Sequence, residues 1–205
     1  MKLWAACCFA ALFVGCATPA PKDVRFSEAW PETTAPYSEV TKNWTRHGLL
    51  MSGYDKSLEV WATVKSPEWR RAYVARRAKL DGLGPAAHNA LLAAEKKVSD
   101  ARYEVHLRVT TYERNENNLH QGDKASWRVA LVDDKGRRIE ATRIRRDRRP
   151  VSVVRSFYRH VDDFAESYVA EFPKSANVLR TDATKLSLRV SSAQGAVRLT
   201  WRAAP

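Results

Sequence analysis

From Tyr103 onward, apolar and polar residues alternate in short runs. Tyr103, Val105, Leu107, Val109 and Thr111 share one parity, and Glu104, His106, Arg108, Thr110 and Tyr112 the other. That is the period of a strand wet on one face, with His106 on the outward side, exposed or paired across strands. Trp127, Val129 and Leu131 alternate in the same way with Ser126, Arg128 and Ala130, and Asp133-Asp134-Lys135-Gly136 then supplies a turn. Arg138 to Ile144 returns as a strand in which Ile139 and Ile144 have opposite parity. One flat strand cannot bury both, so a bulge or a change of sheet is expected between them. Val151–Phe157 and Tyr168–Phe172 are shorter apolar segments. Leu186, Leu188 and Val190 alternate, and Gly195 turns the chain into Val197, Leu199 and Trp201. Upstream, residues 44–52 read as a strand interrupted by Gly48. Leu58, Val60, Ala62 and Val64 form the next, with Trp61 on its other face.

Between these strand patterns the period changes to that of a helix. Ser66-Pro67-Glu68 combines an N-cap, a proline at the first helical position and an acid at the positive end of the dipole. Asp81-Gly82 ends the first helix. Gly84-Pro85 starts a second, with Ala87, Leu91, Ala94 and Val98 as its apolar stripe. The two form a helical hairpin over residues 66–101, either a lid on a sheet or a docking surface. About eight strands with regular turn signals and short connections argue for an antiparallel sandwich. The fold class expected is mostly β with an α insertion.

The first residues give an address. Lys2 precedes an apolar run from Leu3 to Val14, which is too short for a membrane span of about 20 residues. Phe13-Val14-Gly15-Cys16 resembles the lipobox of bacterial lipoproteins, with Phe13 where leucine is usual. The resemblance implies that residues 1–15 are a cleaved signal peptide, that Cys16 carries the lipid, and that the protein sits in the cell envelope. Ala17, rather than aspartate, leans toward the outer membrane. An ordinary secretory signal cut near Ala17 is the alternative. Residues 16–36, with Pro19, Pro21, Pro31 and Pro36, read as an extended tether, and residues 37–205 as the folded domain. Cys7, Cys8 and Cys16 are the three cysteines, so the processed chain has no thiol pair for a disulfide or metal. Trp127–Ile144 and the closing segment Leu188–Trp201 resemble the immunoglobulin-like sandwich domains of uncharacterised bacterial lipoproteins, a resemblance that carries no catalytic or ligand residues.

Charge changes the picture further. The formal net charge is +12, and loss of Lys2 with the leader lowers it by one. In a cytosolic protein such an excess suggests nucleic acid. In an envelope, the polyanions within reach are lipid phosphates, lipopolysaccharide and wall carboxylates, so nucleic acid is the weaker reading. The basic residues concentrate in Arg137, Arg138, Arg143, Arg145, Arg146, Arg148 and Arg149, followed by Arg155 and Arg159. Arginine forks suit phosphate and carboxylate. Arg143, Arg145, Arg146, Arg148, Arg149 and Arg155 are the candidate anion-binding patch, against the simpler reading of a solvated face that repels strand pairing. Read as exposed charges, each contributes under about 1 kcal/mol to folding. No phosphate loop, nucleophile elbow or His-Glu-x-x-His occurs. His160 with Asp162 and Asp163 is the nearest approach to a metal cluster; no metal or cofactor is expected. The expected function is non-enzymatic binding or assembly at the membrane, with an envelope polyanion or protein as partner. The alternative is an envelope enzyme or accessory factor acting on wall polymer or lipopolysaccharide. A cleft with converging carboxylates, or His with Asp, would favour the enzyme; a flat, basic or apolar surface with no cleft would favour binding.

Overall fold

In the computed structural model, which describes residues 22–158 and 164–204, nine strands form two antiparallel sheets. They are β1 (Thr45–Ser52), β2 (Asp55–Val64), β3 (Arg102–Thr111), β4 (Arg128–Val132), β5 (Arg138–Glu140), β6 (Arg143–Arg146), β7 (Glu166–Pro173), β8 (Lys185–Ser192) and β9 (Gly195–Arg202). The larger sheet has the order β1-β2-β3-β7-β6 and the smaller β5-β4-β8-β9. The inward residues of both join one core: Val60, Val105 and Leu107 from the larger sheet, Leu131, Leu188 and Leu199 from the smaller. The parity conflict between Ile139 and Ile144 is a change of sheet, because β5 pairs with β4 and β6 with β7.

The sheets come closest where edge strand β1 passes β9. A Cβ at Gly48 would lie 2.2 Å from Val197 Cγ1 and 2.8 Å from Leu199 Cδ2. The valine is branched at Cβ and cannot swing aside cheaply. Gly48→Ala is therefore expected to lower stability by about 1–3 kcal/mol through overpacking, read as a fall in denaturation midpoint at unchanged slope.

The hairpin forms as its caps dictate. Helix α2 (Pro67–Asp81) starts with Ser66 Oγ accepting from Trp69 N at 3.1 Å, and ends at Gly82 in the left-handed region, φ 61°. Helix α3 (Pro85–Ala101) follows. The hairpin joins β2 to β3 and lies on the outer face of the larger sheet. α2 buries Trp69, Arg70, Ala72, Tyr73 and Val74. α3 buries only Ser99 fully; of its apolar stripe Ala87 and Ala94 are exposed, while Leu91 and Val98 are half-buried, Leu91 against the core.

Two helices arise where the sequence suggested none. α1 (Tyr37–Trp44) has no side-chain cap and is held by burial of Val40, Thr41 and Trp44. Trp44, expected to open the first strand, ends this helix, and its carbonyl accepts from Trp201 Nε1 at 3.0 Å. Val151–Phe157 is helix α4, started by Pro150 and anchored by Val154 and Phe157. Residues 22–36 are irregular apart from the bridge at Val24, and they are not a free tether. Val24 bridges Ala203, Phe26 is buried with its ring 6.1 Å from Trp44, and Lys96 lies over Trp30. The folded part therefore reaches back to about Val24. The leader and Cys16 fall outside the described residues, as do Arg159, His160, Asp162 and Asp163. No helix among the described residues is long and apolar enough to cross a membrane.

Candidate functional site: a basic cleft over a buried ion network

The outward face of β3 is not wet. Glu104, His106 and Arg108 are 3%, 1% and 2% exposed, as dry as the core residues between them. This overturns the reading of His106 as an exposed strand residue. Helix α2, the stretch after β6 and Tyr158 cover that face, and a covered charge must be paired there.

Glu104 is the hub of the pairing. Its Oε2 accepts from Lys65 Nζ at 3.0 Å and Arg70 Nη2 at 3.0 Å, while Oε1 lies 3.3 Å from Arg102 Nε and 3.5 Å from Arg145 Nη2. Directly across the strand pair stands Glu171, a like charge that would repel it. Arg102 and Arg145 bridge the two carboxylates, Arg145 Nε donating to Glu171 Oε1 at 3.1 Å. Arg70 also pairs with Glu95 and so ties α2 to α3. Burial alone would raise the Glu104 pKa, but Lys65 and Arg70 outweigh it and hold it down at about 2. Burial likewise depresses the Lys65 ammonium, with Glu104 opposing.

A second cluster lies beside it. The His106 ring stacks on Tyr158 with centroids 3.5 Å apart and planes within 5°. Its Nε2 is 3.5 Å from Asp147 Oδ2, close enough for attraction but without a made hydrogen bond. Asp147 is instead gripped by the Arg149 fork, at 2.9 Å from Nε and 2.5 Å from Nη2. Burial pushes His106 down to about 4, so the imidazole is neutral at pH 7. For Asp147 burial acts upward, but the neighbouring His106 and Arg149 hold its carboxyl well below the usual range. Burial raises the Tyr158 phenol well above its ordinary value.

Over this floor opens a cleft of about 1270 Å³. Lys65, Arg143, Arg145, Arg146, Arg148 and Arg149 line it, against Glu95 and Asp147. Five of the six patch arginines thus converge. Edge strand β6 turns Arg143 and Arg145 to the face of Glu171 and Val169, and the following residues carry Arg148 and Arg149 to the same opening. Arg155 does not join them; on α4 it borders a separate pocket with Tyr37 and Arg76. Arg137 and Arg138 pair with Asp133 and Glu140 on the smaller sheet.

The five are not equivalent. Arg145 and Arg149 are engaged with buried carboxylates, and Arg146 lies 3.8 Å from Glu166. Arg143 and Arg148 are exposed and have no carboxylate at ion-pair distance among the described residues. The cleft therefore presents two uncommitted guanidinium groups before a wall of further positive charge. Its aromatic residues Trp69, Tyr73 and Tyr158 are 1%, 9% and 4% exposed, so they build the wall and offer little ring face. The reading of every arginine as a dispensable surface charge fails for Arg145 and Arg149.

Lys65, Glu104, Asp147 and Tyr158 were not legible as site residues. The available signal was the hairpin inserted just before β3, which must cover one face of the sheet and so convert an alternating strand into a doubly buried one. Among the described residues no three His, Cys, Asp or Glu side chains gather as a metal site. No family model matches the chain, and neither a curated protein nor a solved structure matches it.

Proposed function

We propose that this protein is a non-enzymatic, lipid-anchored protein of the outer membrane that holds anionic groups of the envelope in the basic cleft. The observation that carries the reading is the convergence of Lys65, Arg143, Arg145, Arg146, Arg148 and Arg149 on one opening, with no carboxylate at ion-pair distance from Arg143 or Arg148 among the described residues. Arginine recognises phosphate and carboxylate by paired donors, and a cleft concentrates the field of its charges. The envelope address rests on Phe13-Val14-Gly15-Cys16. The immunoglobulin-like fold is supported by strand order: β2-β3-β7-β6 and β5-β4-β8-β9 follow the A-B-E-D and C′-C-F-G sheets of that family, with β1 added at an edge and the hairpin between the first two strands.

An envelope enzyme acting on wall polymer or lipopolysaccharide is the second reading, and the cleft itself, with His106 beside Asp147 in its floor, favours it. Against it, the imidazole is 1% exposed and sealed behind Tyr158, so no substrate atom reaches Nε2 without displacing the ring.

Two experiments test the proposal. Full-length chain in mild detergent is expected to bind lipopolysaccharide at low ionic strength, and a chain beginning at Thr18, which lacks the anchor, is expected to bind anionic vesicles and to leave neutral vesicles alone. Equal binding to both surfaces, or to neither, ends the cleft reading. Cys16→Ala is expected to leave an unlipidated precursor that no longer fractionates with membranes as the parent does. Equal recovery without a lipid mass difference ends the anchor reading.

A further inference from the structure

The cleft does not end at β6. Gly122, Thr142, Arg143 and Ile144 also line an adjoining groove of about 510 Å³, so the two cavities share a wall at Arg143. Their chemistry differs. In the groove the charges are matched: Arg128 stands 3.4 Å from Asp123, and Arg138 pairs with Glu140. Its floor is apolar, with Leu119, Trp127 and Val129. Two buried polar ring atoms have no hydrogen-bond partner among the described residues: His120 Nδ1 beside the cleft and Trp127 Nε1 under the groove. Buried orphans of this kind are rare because each forgoes a hydrogen bond it would make in water.

We infer that cleft and groove together form one channel for an anionic glycan, its charged group on Arg143 and Arg148 and the adjoining neutral sugar in the groove. This rests on the cleft being an anion site, and it adds the ligand class. A sugar ring supplies C–H faces for Ala125, Ala141 and Ile144 on the groove walls, hydroxyls for Asp123 and Glu140, and, with a shift of the side chains that cover it, an acceptor oxygen for Trp127 Nε1. An acyl chain would strip water from the groove's ion pairs without replacing it. A uniform polyanion would set negative charge against Asp123 and Glu140. The groove's volume lies within the range of small-ligand sites.

The test is calorimetric titration of the full-length chain in detergent at low salt with three probes. Inorganic tripolyphosphate carries charge without sugar. De-acylated lipopolysaccharide oligosaccharide is a phosphate-bearing glycan, and wall-derived muropeptide disaccharide a carboxylate-bearing one. At least one glycan is expected to bind about tenfold more tightly than tripolyphosphate, the increment of one or two good hydrogen bonds, and which one does so identifies the source. Ala125→Phe fills the groove from its rim, and Trp127→Phe removes the indole donor. Each is expected to abolish the glycan's advantage and leave tripolyphosphate binding unchanged, with a thermal melt confirming that the variant is folded. Tripolyphosphate binding as tight as both glycans, or an advantage that survives Ala125→Phe, overturns the channel while leaving the cleft standing. Failure of all three probes to bind overturns both.

Discussion

Glu104→Ala should cost about 3–5 kcal/mol of folding stability, the loss typical of a buried ion network deprived of one partner. The carboxylate is 3% exposed, and two of its four cations, Arg70 and Lys65, are 2% and 12% exposed. Arg102 and Arg145 are 36% and 40% exposed, so they can turn toward water when the hub goes. Lys65 and Arg70 are far less free to follow them, and Arg70 keeps Glu95 and the Lys65 carbonyl. The penalty therefore comes mainly from two stranded cations. Urea unfolding of parent and variant measures it. Adding Lys65→Met and Arg70→Met to the Glu104 variant should recover much of the loss, because a buried ion group replaced by apolar side chains of similar volume is often neutral. A loss below about 1 kcal/mol for the single variant would place the network in water.

The second large effect is acid sensitivity in two windows. His106 binds a proton near pH 6.5 when unfolded but only near 4 in the fold. Between those values the unfolded chain holds more protons, so stability falls as pH falls. At up to about 1.4 kcal/mol per pH unit, the window removes roughly 3 kcal/mol. Glu104 acts in the same direction and later. Its folded pKa of about 2 lies below the ordinary 4.5, so its stabilisation is present above 4.5 and is lost as pH falls toward 2. Asp147, also depressed, adds to the second window. The parent should begin to lose stability near pH 6.5, well before carboxylates titrate. His106→Phe keeps a ring against Tyr158 and should flatten the profile from 6.5 to 4, leaving the decline below 4.5. An unchanged slope in the upper window would mean that the imidazole is not the titrating group.

Local chemistry made much of the fold legible. Ser66-Pro67 and Gly82 bound α2 because caps and left-handed positions depend on the residues themselves. The parity conflict of Ile139 and Ile144 revealed a change of sheet because side chains on one strand cannot face both ways. What stayed hidden depends on distant partners. α1 has no capping side chain and exists because Val40 and Trp44 find a core. Val151–Phe157 is too short for its period to decide, and Pro150 with the burial of Val154 and Phe157 makes it a helix. Pro31 and Pro36 disfavour helix and strand interiors around them, but whether such irregular chain is free or laid on a domain is decided by Val24 and Phe26 finding room. The candidate site divides in the same way. The arginines of β6 and the link after it were visible as a cluster, while Lys65 reaches the cleft only through the fold. The difference between Arg145 and Arg148, one committed to Glu171 and the other to no carboxylate among the described residues, depends on a strand pairing that composition does not encode.

That difference also supplies the most direct test of the cleft. Replacing Arg145 or Arg149 would confuse binding with loss of the ion network, whereas Arg143 and Arg148 can be changed with little effect on folding. The measurement is the salt dependence of lipopolysaccharide binding by the full-length chain and by Arg143→Gln/Arg148→Gln, with melts of both. The parent's affinity should fall steeply as salt rises. The double variant should melt within a few degrees of it, bind at least about tenfold more weakly at low salt, and lose about two from the slope of log affinity against log salt, one for each contact removed. A folded double variant with the parent's affinity and slope would contradict the assignment of the basic cleft as the anion site.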